Sequence, residues 1–300
     1  VATKRVRKPG REVAKRDAAS LVAPLDPSTI RRVEKLLQPV KGWLSPVALG
    51  LDHVPREGPV LLAGNHTIYG VLDVPMLALA VYEATGRVAR GVGDHAHFAI
   101  PIWRDLLQSL GAFDGNRENC AAMLRAGEML LIFPGGGREV MKRKGEFYKL
   151  LWKERIGFVR LAIETGASIV PFASVGVEHM FEVVGDADDL LRSPVGDLLR
   201  ATGITRRSWF RKGELIPPIT RGRGPASVPR LERQYFLFGE PIPTGSLAGR
   251  QDDAETCLAV RRSVQQRVES QIAMLLEVRS KDPDRYPVQR LLRKLASRLG

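Results

Sequence analysis

Short apolar runs closed by turn residues recur along the chain: PVLLAGNH at 59–66, RVARGV at 87–92, MLLIFPGGG at 129–137, SIVPFASVG at 168–176 and QYFLFGEPI at 234–242. Runs of this kind, bounded by Gly, Pro and Asn, predict sheet strands. Between them, residues 74–84, 101–110, 118–126 and 153–165 repeat apolar side chains at the helical spacing. Strands alternating with helices predict an α/β fold, a central mostly parallel or mixed sheet flanked by helices. Residues 185–230 break the alternation with a Pro/Gly/Arg-rich insertion, expected to shape a site or surface rather than fill the core.

Amphipathic basic helices are expected at both ends. Ile30, Val33, Leu37, Val40 and Leu44 keep helical spacing while Arg31, Arg32, Lys35 and Lys41 take other faces, with a bend expected near Pro39. A helix rich in Arg and Gln is expected from about 252 to 279. In the last helix Val288, Leu291, Leu292, Leu295 and Leu299 share one face, and Arg290, Arg293, Lys294 and Arg298 lie elsewhere. That helix either docks on the domain or lies in a membrane interface. The expected organisation is a basic mobile arm at 1–27, one domain at 28–280 with its motifs between 45 and 245, and a basic amphipathic helix at 281–300.

Composition narrows the partners. Lys and Arg number 46 against 33 Asp and Glu, a net charge of +13 that favours polyanions: nucleic acid, an anionic lipid surface or a phosphorylated cofactor. The surplus is spread over termini and loops without interleaved aromatics, which argues against nucleic acid. Cys120 and Cys257 stand far apart, so neither a disulfide framework nor a zinc site is indicated and a reducing cytoplasm is expected. No run approaches the roughly 18 to 20 apolar residues of a spanning helix. The basic first residues lack the apolar core of a signal peptide, so neither a bilayer crossing nor secretion by that route is expected.

Two segments carry candidate chemistry. LLAGNHTIYGVLDVPML, residues 61–77, ends a strand-like run at His66, with Asp73 seven positions on. A histidine there sits at the carboxyl end of a strand, where open α/β sheets bind ligands. It can take a proton from a hydroxyl while a carboxylate fixes its tautomer; a structural histidine beside a turn is the alternative. FPGGGREVMKRKGEFYKL, residues 133–150, follows a strand with three consecutive glycines. Their N–H groups can approach a phosphate or a developing oxyanion, and Arg138 adds a planar donor fork; a tight strand-to-helix turn is the alternative. No Gly-Lys-Ser/Thr follows, which excludes a nucleotide-binding P-loop. Ser174 has Phe172 where a nucleophile elbow needs glycine, disfavouring a serine hydrolase. His95 and His97 lack a third ligand at a diagnostic spacing, so no metal site is expected.

Together GNHTIYGVLD, LGAFDGNRENCAAMLRAGEMLLIFPGGGRE and ASIVPFASVG resemble, in order, the four blocks of the glycerolipid and lysophospholipid acyltransferase superfamily, over roughly residues 45 to 245. Members bind membranes and move fatty acyl groups from thioesters to hydroxyls. The resemblance implies that His66 is the general base and Asp73 its orienting carboxylate. It gives substrate-binding positions to Gly111, Phe113 and Arg117 in the second block, Phe133, Pro134, Gly135, Gly136, Arg138 and Glu139 in the third, and Pro171 in the fourth. Two departures stand out. Better-known members have four residues between His and Asp, whereas Thr67 to Leu72 make six. Their third block reads Phe-Pro-Glu-Gly-Thr-Arg, whereas here Gly135 replaces the glutamate and Glu139 follows the arginine. That variant resembles the branch containing diacylglycerol acyltransferases and plant phytyl-ester synthases, whose acceptors are neutral alcohols.

The implied reaction is direct transfer without an acyl-enzyme. The donor is acyl-CoA, as a co-substrate, or acyl carrier protein; the acceptor is a lipid hydroxyl; no cofactor or metal is expected. Arg117, Lys142, Arg143 and Lys144 are expected partners for donor phosphates, the last three equally a solvated run. The expected setting is cytoplasmic, peripheral on an anionic membrane at its inner face. The alternative is a catalytically impaired acyl-CoA- or lipid-binding protein of the same fold. Acceptor identity, chain length and oligomeric state do not follow from the sequence.

Overall fold

The computed structural model describes residues 22, 25–93, 98, 101–207, 210, 213–224 and 227–299. Most of the expected basic arm, and the His95/His97 pair, lie outside the described residues. Seven strands form one sheet: β1 (Val47–Leu49), β2 (Val60–Gly64), β3 (Ala89–Gly93), β4 (Phe113–Asp114), β5 (Met129–Ile132), β6 (Ser168–Val175) and β9 (Tyr235–Phe238), in the order β1-β9-β6-β2-β5-β3-β4. From β6 through β2, β5 and β3 to β4 all pairings are parallel, whereas β9 runs antiparallel to β6 and parallel to β1. The sheet is therefore mostly parallel, as the alternation of elements predicts. Every residue of β2 is buried, the signature of a central strand covered on both faces.

Helices cover both faces. Leu61, Ala63 and Leu130 pack with α4 (Arg117–Arg125), α6 (Gly157–Thr165) and α9 (Ala254–Lys281). Val60, Leu62, Met129 and Leu131 pack with α1 (Pro27–Leu44) and α2 (Val74–Thr85) on the other side. The helix α3 (Pro101–Ser109) links β3 to β4, and α10 (Pro287–Leu299) closes the described chain. The helix α1 starts earlier than its apolar spacing suggests, because the Asp26 side chain accepts from the Ser28 and Thr29 N–H groups and Pro27 opens the first turn. It continues as helix through Pro39.

The insertion carries regular elements of its own. Strands β7 (Glu182–Gly185) and β8 (Ile219–Arg221) pair antiparallel outside the main sheet, with α7 (Ala187–Arg192) and α8 (Pro194–Ala201) between them. A capping box between Asp186 and Asp189 starts α7. Pro171 lies in β6 where β9 breaks off, between the Phe172↔Phe238 pair and the Ile169↔Ile242 bridge, an irregular stretch that tolerates a residue without an N–H.

Candidate active site

Because β2, β5 and β6 run parallel, their carboxyl ends meet at one edge of the sheet, and β2 and β5 each end in a turn singled out by the sequence. Past β2 lie Asn65 and His66. Past β5 lie Phe133, Pro134 and the glycines that lead into the short helix α5 (Gly137–Val140), and past β6 lies the turn Val177–Met180. Two distant motifs are thereby brought into contact: the His66 ring stacks on the Phe133 ring, centroids 3.7 Å apart and planes 7° from parallel. A side chain at Gly70 would collide with the ring, its Cβ falling 2.7 Å from His66 Nε2 and 2.8 Å from Val140. Tyr69 and Gly70 both have positive φ, and the Tyr69 N–H donates to Val140 O at 3.0 Å. This left-handed pair takes up the extra length of the six-residue loop between His66 and Asp73.

Asp73 ends that loop at the start of α2 and is 1% exposed. Its Oδ2 accepts from the Ser174 hydroxyl at 2.8 Å, and the Thr67 hydroxyl and Val74 N–H also face it. Burial raises its pKa above the ordinary value, and these donors work against that rise. The hydrogen bond at 2.8 Å thus ties the carboxylate to the strand end of β6. Asn65 ties the ensemble together, donating to Ser174 O at 2.9 Å and accepting from Ser174 N–H at 2.8 Å. Ser174 is thus wholly buried and engaged with Asp73, not presented as a nucleophile.

The glycine turn is held from several sides. Gly136 adopts φ 54° and ψ −154°, a conformation open essentially to glycine alone. Gly135 is needed for space: a Cβ there would lie 2.6 Å from Glu139 Cδ and 2.7 Å from Glu139 Cβ, with Oε2 nearer still. Arg155, which the sequence reading passes over, donates to Pro134 O at 2.9 Å and Gly135 O at 2.6 Å. Arg138 turns away from the turn it follows, donating to Met141 O at 3.0 Å and Glu146 at 2.5 Å.

Beneath the turn lies a trio unforeseen in the sequence. Glu139, Lys142 and Glu178 are all fully buried, Lys142 Nζ standing 4.0 Å from Glu139 and 3.5 Å from Glu178 and donating to Lys149 O at 2.9 Å. Burial pushes both carboxyls up to about 7, against the pull of Lys142. The expected role of Lys142 with a donor phosphate is corrected: the residue is enclosed by its carboxylate partners. Arg143 and Lys144 pair instead with Asp188 and Asp189 of α7, both at 2.6 Å, clamping the insertion to the third block.

The second block lies apart. Phe113 is core, and Gly111, with φ 86°, leaves room for Leu25 and Arg90. Arg117 binds Glu164 of α6 at 2.7 Å beside Arg125. It follows β4, three strands from β2, or roughly 14 Å across the sheet. Among the described residues no cluster of three or more His, Cys, Asp or Glu is placed to hold a metal ion.

Residues 47–175 match the family model described as Acyltransferase. Phytyl ester synthase 1, chloroplastic, of Arabidopsis thaliana is 33% identical over 258 residues, covering 82% of this chain and 36% of that protein. The "DGAT1/2-independent enzyme synthesizing storage lipids" of Homo sapiens is 33% identical over 136 residues, 45% of this chain and 41% of that one. The chain spans about a third of the length of the phytyl ester synthases it matches. The crystal structure of the 1-acyl-sn-glycerophosphate acyltransferase PlsC from Thermotoga maritima aligns with a TM-score of 0.46 at 15% identity, covering 83% of this chain and 85% of that one. The family match runs from β1 to the end of β6, the strands that carry His66, the glycine turn and Ser174, and the chain belongs to the glycerolipid and lysophospholipid acyltransferase superfamily.

Proposed function

We propose that this chain transfers a fatty acyl group from acyl-CoA, or from acyl carrier protein, to a lipid hydroxyl, with His66 as the general base. The observation that carries this reading is the stacking of His66 on Phe133 at the carboxyl edge of the sheet, an imidazole beside the strand that leads into the glycine turn. A nitrogen of His66 takes the acceptor proton as the oxygen attacks the thioester carbonyl. The tetrahedral oxyanion is met by backbone N–H donors of the turn such as that of Gly135, the Gly136 N–H being held by the Phe133 carbonyl at 2.9 Å, and its collapse expels a thiolate that recovers the proton from the imidazolium. Asp73 steadies the loop of His66 through Ser174 and Asn65.

A neutral alcohol is the favoured acceptor, because Gly135 stands where phosphate-acceptor members carry glutamate and because relatives are named phytyl ester synthases. The acceptor is reached at a membrane surface. On α10 Val288, Leu291, Leu292 and Leu295 are all exposed beside Arg293 and Lys294, and on α1 Leu36, Val40 and Trp43 are exposed near Arg31, Arg32 and Lys35. Among the described residues no helix is long and apolar enough to cross a membrane. The proposed placement is peripheral, on the anionic cytoplasmic face.

The deciding experiment incubates purified protein with labelled palmitoyl-CoA and a panel of diacylglycerol, hexadecanol and lysophospholipids. Ester formation supports the reading. Donor binding without turnover on any acceptor would favour an impaired acyl-CoA-binding protein, the reading suggested by the six residues between His66 and Asp73.

A further inference from the structure

The transfer chemistry leaves Glu139 without a task, although it lies directly behind the catalytic loop. Its side chain is fully buried and fills the space that Gly135 leaves open. The backbone N–H groups of His66 and Leu151 and the Trp152 indole face its carboxylate, though none closes to a full hydrogen bond. Lys142 from the same segment and Glu178 from the turn after β6 are the charged groups packed against it, and Arg155 braces the carbonyls of Pro134 and Gly135 next to it. A carboxylate held this deep, with one lysine shared between two acids, weighs against folding, and such sites concentrate where a charge is needed for chemistry.

We infer that Glu139 is a positioning residue for acyl transfer: seated in the gap left by Gly135, it holds the His66 backbone and the glycine turn in register, and its charge favours the imidazolium formed as the acceptor loses its proton. The inference rests on His66 as the base. Glu139 acts from the backbone side of the histidine, where a carboxylate in a poorly screened site stabilises a nearby cation.

Glu139→Gln, Glu139→Asp and His66→Ala are compared with wild type, using palmitoyl-CoA and whichever acceptor of the panel supports turnover. In Glu139→Gln kcat falls on the order of 10- to 100-fold, the KM for palmitoyl-CoA is unchanged, and the acid limb of the pH–rate profile moves to lower pH. Glu139→Asp, which keeps the charge, recovers part of kcat and returns the limb. Wild-type kcat in Glu139→Gln, or a fall with the limb unmoved, overturns the inference while an inactive His66→Ala leaves the base assignment standing. Turnover by His66→Ala overturns that assignment and the task of Glu139 with it. The seating is read without activity in a thermal-unfolding cycle of Gly135→Ala and Glu139→Gly. The double variant should lose less Tm than the sum of the singles, and strict additivity would show that Glu139 does not occupy the gap.

Discussion

The His66 imidazole lies flat on the Phe133 ring, 3.7 Å between centroids, so the first and third sequence blocks act as one surface. His66→Ala is expected to reduce acyl transfer by about 10²- to 10⁴-fold, the usual effect of losing a general base. Phe133→Leu keeps an apolar side chain but removes the flat support, and a smaller loss of kcat with little change in KM is expected. Circular dichroism alongside steady-state rates checks both, and a folded His66→Ala with near-normal turnover would sink the base assignment.

Asp73 and Ser174 form a buried pair at 2.8 Å. Ser174→Ala strips a donor from a carboxylate that burial already disfavours as an anion, and should lower stability by about 1–3 kcal/mol. Asp73→Asn should lower turnover by loosening the loop that carries His66. Denaturant titration and kinetics measure the two effects, and a silent Asp73→Asn would remove that carboxylate from the mechanism.

Glu139 and Glu178 give a pH signature in stability. Both are raised to about 7 from the ordinary 4.5, so the folded chain binds their protons more tightly than the unfolded one. Their contribution is complete below about 4.5 and is lost as pH rises through about 7, each unit of difference being worth about 1.4 kcal/mol. His179, lowered by burial from 6.5 to about 4, runs the other way: its contribution is complete above 6.5 and is lost as pH falls through 4. The informative quantity is therefore a difference. The Tm of a Glu139→Gln/Glu178→Gln variant should gain on wild type between pH 5 and pH 7.5. A constant gap would mean that neither acid titrates in that range.

Acceptor choice is tested by competition. With one limiting pool of labelled palmitoyl-CoA, diacylglycerol or hexadecanol should be acylated in preference to lysophosphatidic acid. Clear preference for the phosphorylated acceptor would show that Arg117 or Arg138 reads a phosphate after exchanging its partner, Glu164 or Glu146 respectively.

Removal of residues 284–300 should markedly weaken binding to anionic vesicles while preserving turnover on a water-soluble short-chain alcohol. Each basic residue lost near the surface is worth about 1 kcal/mol, and binding by the intact chain should fall with added salt. Sedimentation with vesicles of defined phosphatidylserine content is the measurement. Unchanged binding would assign the contact to α1 or to the insertion.

The strands and helices of the central fold were legible because a buried strand and an amphipathic helix each impose a period on the sequence. The apolar runs containing Leu61, Leu130 and Val170 became β2, β5 and β6, and the spacing of Leu77 and Val81 became α2. Short β1, β4 and β7 carried no such period, and β8 lies in a stretch dominated by proline, glycine and arginine. In the site, His66 and the glycine turn announced themselves through turn residues next to strand ends. The partners of those residues did not. Asp73 meets Ser174 across 101 residues and Lys142 meets Glu178 from another strand end, and no local spacing encodes such meetings. Lys142 looked like one of a solvated run because its neighbours Arg143 and Lys144 do face outward, to Asp188 and Asp189.

The parallel pairing of β1 with β9 has a consequence for the order of assembly. Arg290 donates to the Trp43 carbonyl and Arg233 to the Ser45 hydroxyl, contacts that join residues 247 and 188 positions apart. Closing loops of that length comes late, after the local βα units have formed. A chain emerging from the ribosome therefore shows α1, with Trp43 and Leu36 on its surface, long before α10 exists to stand beside it. If α1 and α10 hold a lipid surface together, as proposed, that joint grip arises only when the ends of the fold have met, and firm attachment is then withheld from incomplete precursors.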